Sequence, residues 1–301
     1  MLDKYNIRTD LALEQKERFE ADNVEVAGEI LEETHDEDKE IRVTTVKIET
    51  ENGAKAMRKP VGTYITIEAP HLAMADDDYH EELAGELKNY LERLIDMDKK
   101  EYSVLVVGLG NREVTPDALG PYVADQLNIT RHIIKEYGRY AVDNKDIHLV
   151  SAIVPGVMGQ TGMETVEIVK GIVEVTKPDF VVAVDALAAR SSKRLNRTIQ
   201  ITDTGINPGS GVGNHRNAIN KETVGIPVIA IGVPTVVDAA TIVNDAMEKL
   251  IYTLESSEKY ELIKELISPH LNGMFVTPKD IDETVKRISF TISDALNQLF
   301  L

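Results

Sequence analysis

The chain has 301 residues, 43% of them hydrophobic and 28% charged, which is the balance of a globular protein with room for one large or two modest domains. Its 51 acidic residues against 33 basic ones give a formal charge of −18, a surface that repels phosphate backbones and argues against direct nucleic-acid binding. No cysteine is present, which removes disulfides, thiolate metal sites and cysteine nucleophiles and fits a reducing cytoplasm.

Residues 1–23 are polar and acidic and read as a separable arm. The opening residues carry no apolar signal core, and no stretch is long enough to span a membrane, so no membrane association is expected. Runs from Val24 to Leu31 and from Ile41 to Ile48 alternate at period two around an acidic turn at 35–39, and a third strand is expected from Gly62 to Glu68. Leu83, Leu87, Leu91 and Leu94 recur at helical spacing and predict an amphipathic helix over about 78–97.

From residue 103 onward, apolar strands alternate with helices. Strands are expected at 104–107, 147–154, 180–184, 198–201 and 228–231, and helices near 121–137, 163–176, 235–255 and 279–299. Near-continuous Val/Ile runs belong to strands covered on both faces. The expected fold is therefore α/β, a mostly parallel central sheet with helices on both faces. A smaller N-terminal β-containing subdomain is expected over 11–100, ahead of an α/β/α core over 101–301. The 198–201 run alternates, as an edge or antiparallel strand does.

Two acids stand at expected strand ends, where open α/β sheets bind ligands. Asp117 follows the strand and loop Ser103-Val-Leu-Val-Val-Gly-Leu-Gly-Asn-Arg-Glu-Val-Thr-Pro-Asp117, in which Gly108 and Gly110 permit a tight turn and Pro116 stiffens the approach. Asp185 closes the apolar run Phe180-Val-Val-Ala-Val-Asp185; it could simply cap a following segment 186–190. Its apolar setting raises its pKa in either case, and a protonated acid beside an ionised one can divide acid and base work. Asp238 is a third carboxylate candidate, or a helix initiator.

Other motifs fail. The third glycine of G-x-G-x-x-G falls on Glu113, so a nicotinamide fingerprint is absent. His80-Glu81 meets Ala84 where the zinc motif needs His, and Pro208 stands where an esterase elbow G-x-S-x-G around Ser210 needs its first glycine. No P-loop occurs. No metal and no cofactor are expected. The loop containing Gly209, Ser210, Gly211 and Gly213 is either a flexible connection or a row of backbone N–H groups for an extended peptide or oxyanion. The residues alone leave three readings: a two-aspartate endopeptidase, a metal-assisted endopeptidase, or a non-catalytic binding protein on a Rossmann-like sheet.

The blocks Tyr5-Asn-Ile-Arg-Thr-Asp-Leu-Ala12, Val106-Val-Gly-Leu-Gly-Asn111, Thr115-Pro-Asp-Ala-Leu-Gly-Pro121, Ile129-Thr-Arg-His132, Ser151-Ala-Ile-Val-Pro-Gly-Val-Met158, Asp185-Ala-Leu-Ala-Ala-Arg190, Pro208-Gly-Ser-Gly-Val-Gly-Asn214, Ile231-Gly-Val-Pro-Thr-Val-Val-Asp238 and Val276-Thr-Pro-Lys279 occur here in one order. In them the chain resembles the germination proteases of spore-forming bacteria, endopeptidases of small acid-soluble spore proteins related in fold to hydrogenase-maturation endopeptidases. The resemblance implies that Asp117 and Asp185 are the essential aspartates. It also implies a self-processing zymogen, a homotetramer, and a place in the cytoplasm of the forespore or spore core. Thr9-Asp10-Leu11-Ala12-Leu13-Glu14 is similar to the Thr-Glu/apolar-Ala-x-Glu sites that the family cuts, so a propeptide of residues 1–10 and cleavage between Asp10 and Leu11 are expected. One departure is a stretch between about Ser256 and Ile267 that is shorter than in the family.

Overall fold

A computed structural model describes residues 10–14, 29–36, 40–95, 97–142, 147–209, 216–239, 241–243, 246 and 274–301. The strands are β1 (Glu29–Asp36), β2 (Ile41–Ile48), β3 (Gly62–Glu68), β4 (Ser103–Gly108), β5 (Leu149–Ile153), β6 (Phe180–Ala189), β7 (Thr198–Thr202), β8 (Val228–Asp238) and β9 (Phe275–Val276). They make one sheet in the order β1-β2-β3-β7-β8-β6-β4-β5, with β9 added to β8. The strands β8, β6, β4 and β5 run parallel. The hairpins β1-β2-β3 continue through β7 as an antiparallel wing of the same sheet. The fold is α/β with a mostly parallel centre, as the Val/Ile runs predict.

The two faces are covered differently. On one, Val104, Val106, Val182, Val184, Ile229 and Ile231 pack against Leu83, Leu87 and Leu91 of the helix Asp77–Leu94 and Ile288, Ile292 and Leu296 of the helix Ile281–Phe300. On the other, Leu105, Val107, Val181 and Ala183 meet Val169 and Val173 of the helix Thr165–Thr176. Burying a side chain of this size contributes about 1.5–3 kcal/mol, so these two layers fix the sheet on which the site is built.

Several boundaries differ from expectation, each for a physical reason. The first strand lies further along the chain, running through His35 and Asp36, because β1 pairs with β2 from Glu29↔Ile48 to Asp36↔Ile41. Residues 24–28 lie outside the described residues. The single helix expected over 121–137 is two, Leu119–Asp125 and Arg131–Tyr137. Between them the buried Thr130 turns to β5, its N–H donating to Val150 O at 3.2 Å and its hydroxyl to His148 O at 2.5 Å. The run 198–201 is antiparallel but not an edge, since β7 sits between β3 and β8 with all five residues buried.

The two longest strands matter most. Asp185 does not end its strand and caps no helix: β6 runs four residues further, to Ala189, because β8 also continues to Asp238 and supplies a partner past a bulge at Leu187/Ala188. Residues 235–238, expected to open a helix, therefore belong to β8. Most of the rest of the expected 235–255 helix, like the shortened 256–267 stretch, lies outside the described residues.

Candidate active site

The turn after β4 carries Asp117. Gly110 has φ +113°, and a Cβ built on it would fall 1.9 Å from Asp117 O, so this backbone can close over the aspartate only with glycine there. The loop then folds into the 3-10 turn Thr115–Asp117. Asn111 N–H donates to Asp117 Oδ2 at 2.8 Å, and the buried Thr235 hydroxyl of β8 holds Pro116 O at 2.6 Å. Thr277, just past β9, donates in turn to Thr235 O at 2.8 Å. Three separate segments thus hold the turn that carries the carboxyl, and one of them, at Asn111, bonds the carboxyl itself.

Asp117 and Asp185 line one cavity of about 440 Å³, together with Leu109, Val157, Leu187 and Thr235. Burial raises Asp117 to a pKa of about 6, against the pull of the Asn111 N–H. Asp185, 5% exposed, is pushed well above the usual carboxylate range, first by burial and then by the charges of Asp117 and Asp10, with only the Ala186 N–H opposing. Asp117, the less buried of the two and the one with a loop N–H on its carboxyl, is the better placed to carry charge, and that charge pushes Asp185 up further. Asp117 is half-buried rather than on an open, solvated loop, because the 3-10 turn tucks it under β8. Asp238 stands at the end of β8 opposite Phe275 and does not line the cavity. Gly209, with φ +70°, does line it, while Ser210, Gly211 and Gly213 lie outside the described residues. Among the described residues no group of three or more His, Asp or Glu side chains is placed to hold a metal ion.

The cavity also receives the chain's own N-terminal segment. Asp10 lines it, and Leu11, Ala12, Leu13 and Glu14 are 0–6% exposed. This is not the behaviour of a separable arm: apolar contacts and backbone bonds hold residues 10–14 to the sheet. Asp10 N–H donates to Ala188 O at 3.3 Å, and Ala188 N–H returns a bond to Asp10 Oδ2 at 3.0 Å. Ala12 packs among Val46, Ile48, Met57 and Tyr64. Residues 12–14 form a helical turn rather than an extended strand. Glu14 is anchored by the Arg190 N–H at 2.8 Å, the Ser191 N–H at 3.0 Å and the Arg194 guanidinium at 3.5 Å. Nothing in local sequence marks these contacts; Tyr64, Ala188 and Arg194 come from three distant stretches of the chain.

A parallel sheet that gathers two carboxylates of raised pKa in one apolar cleft defines the class: an α/β protein with a site of hydrolase type. A model of the family described as Germination protease matches residues 7–254. The chain belongs to the germination protease family. It is 49% identical to the germination protease of Caldanaerobacter subterraneus subsp. tengcongensis over 97% of this chain and 93% of that one. Against the germination protease of Clostridium perfringens (strain 13) the figure is 46%, over 97% and 94%. The Bacillus cytotoxicus germination protease is 39% identical over 98% and 94%, and its alignment of 351 positions leaves at least 50 without a counterpart in these 301 residues (351 − 301). Among solved structures, a NiFe hydrogenase maturation protease from Thermococcus kodakarensis aligns with 69% of this chain and 98% of its own, at 20% identity and a TM-score of 0.34.

Proposed function

We propose that the chain is a zymogen endopeptidase that uses Asp117 and Asp185 as a base and acid pair on water, with small acid-soluble spore proteins as substrates. One observation carries the reading: Asp10, which opens the segment that resembles a substrate cleavage site, lines the same cavity as both aspartates, and residues 11–14 are buried directly after it. Asp117, the better placed to carry charge, takes a proton from water as it attacks the carbonyl carbon. Asp185, which keeps its proton, donates to the departing nitrogen. Because the two interact, their titrations belong to the pair.

The apolar burial of Leu11, the tight surroundings of Ala12 and the charged anchor of Glu14 match an apolar-Ala-x-Glu site position by position. On this reading residues 1–10 are a propeptide, and the mature chain starts at Leu11. A homotetramer in the cytoplasm of the spore core belongs to the same reading, resting on the resemblance alone. The acidic surface fits a protein substrate rather than direct nucleic-acid binding.

The test is intact mass after incubation of the purified chain across a range of pH. Wild type is expected to lose residues 1–10 and then to cut an added small acid-soluble spore protein. Glu14→Ala, which removes a carboxylate holding charge-assisted hydrogen bonds worth about 1.5–3 kcal/mol, is expected to slow the first cut by roughly tenfold or more. A chain that never shortens and leaves the spore protein whole would overturn the reading.

A further inference from the structure

The bond expected to break lies between Asp10 and Leu11, so its carbonyl oxygen is Asp10 O. Two side chains already hold that atom. Lys59 Nζ donates to it at 2.7 Å, and Gln200 Nε2 donates at 3.2 Å. Gln200 also accepts from Ala12 N–H through Oε1 at 2.7 Å, so one amide grips the chain on both sides of the bond.

The sheet explains how Gln200 comes to stand near Asp185. Asp185 of β6 and Gln200 of β7 are both paired directly with Gly232 of β8. Directly paired residues show their side chains on the same face, and strands lie about 4.8 Å apart, so Asp185 and Gln200 flank a glycine at a backbone separation of about 10 Å. Gly232 adds no side chain of its own between them; the Leu187 side chain packs over it. A second cavity, of about 70 Å³, continues the site on this side and is lined by Asp10, Lys59, Leu187, Gln200 and Gly232.

We propose that Lys59 and Gln200 form the oxyanion cradle of this protease. The proposal rests on the two-aspartate reading and completes it. Water adds to the Asp10 carbonyl carbon and gives its proton to Asp117; the carbonyl electron pair moves onto Asp10 O, held by the Lys59 ammonium and the Gln200 amide. When the pair returns, the C–N bond breaks and Leu11 N takes the proton of Asp185. The proton on Asp117 then passes to Asp185, which restores the starting pair, and the former carbonyl oxygen remains in the new carboxyl group of Asp10. Burial pulls the pKa of Lys59 down and the charges of Asp10 and Glu14 pull it up, so the two acids of the bound segment favour the ammonium that the cradle uses.

The test follows Asp10–Leu11 scission in the full-length chain by intact mass, as a single turnover. Lys59→Met, of similar length and without charge, is expected to slow scission by about 10²–10³-fold. Amide exchange should show residues 10–14 as protected as in wild type. Should Lys59→Met fail to fold, as read by its thermal melt, Gln200→Leu is the second probe, with slowing of the same kind expected. Scission within about threefold of wild type in the folded variant, while Asp117→Asn is inert, overturns the cradle and leaves the aspartate pair standing. Slowed scission with lost protection of residues 10–14 also overturns it, because Lys59 then only docks the leader. An Asp117→Asn chain that processes at the wild-type rate overturns the aspartate reading itself.

Discussion

Asp117→Asn and Asp185→Asn are each expected to lose nearly all cleavage, by at least about 10²–10⁴-fold, the usual contribution of one positioned acid or base. Asparagine keeps the shape and can still accept the Asn111 N–H bond or the Ala186 N–H bond, so the loop and the strand should stay in place. What it cannot do is exchange a proton. The two losses should also fail to add: once either partner is gone the shuttle is broken, so the double variant should be no slower than the worse single. Turnover of a small acid-soluble spore protein, together with intact mass for residues 1–10, measures both. Near-wild-type rates in either single variant would remove the pair from the mechanism.

The second large effect is on stability, and it has the opposite sign. Asp117 binds its proton more tightly in the folded protein, at a pKa of about 6, than the ordinary value of 3.8 in the unfolded chain. A carboxylate with a raised folded pKa costs nothing while protonated in both states. The cost grows as pH rises through 3.8 and is complete above about 6. The deficit at neutral pH is up to about 3 kcal/mol, less what solvent screens at this half-buried group. The clean comparison is between Asp185→Asn and the Asp117→Asn/Asp185→Asn double variant, since both are expected to be inert and keep residues 1–10. Asp117 stays shifted in that background because burial, not Asp185, is what raises it. The double variant should unfold at higher denaturant at pH 7, and the gap should close below about pH 4. A gap that is unchanged between those values, or a double variant that is less stable at pH 7, would show that burial does not raise this carboxyl. Such a site holds strain that only turnover makes use of.

The sequence by itself determined the alternation of apolar runs, and so the α/β class. It also determined the glycines of the 108–120 loop and the apolar settings of Asp117 and Asp185, because local conformation and burial are written into neighbouring residues. Gly110 is required by a contact only seven residues away, at Asp117. Asp185 has a raised pKa because its own strand is apolar. Strand ends were less legible. A run such as Ala186–Ala189 reads as a possible capped segment until its partner, Val233–Val237, is known to continue alongside it.

Only the tertiary structure decided what holds the N-terminal segment beside the site. Lys59 stands just ahead of β3, Gln200 on β7 and Glu14 beside Arg190, and the distances of 49 and 190 residues that separate Asp10 from its two carbonyl donors leave no periodicity to detect. Residues 10–14 look polar and detachable as a string, since one aspartate and one glutamate flank a short Leu-Ala-Leu run. They are buried because the sheet offers each of them a specific partner: backbone at Ala188 for Asp10, an apolar nest for Ala12, and two N–H groups with an arginine for Glu14. Those partners are assembled only when β3, β6 and β7 are ordered around β8, and strand order is a long-range choice that a one-dimensional pattern does not carry.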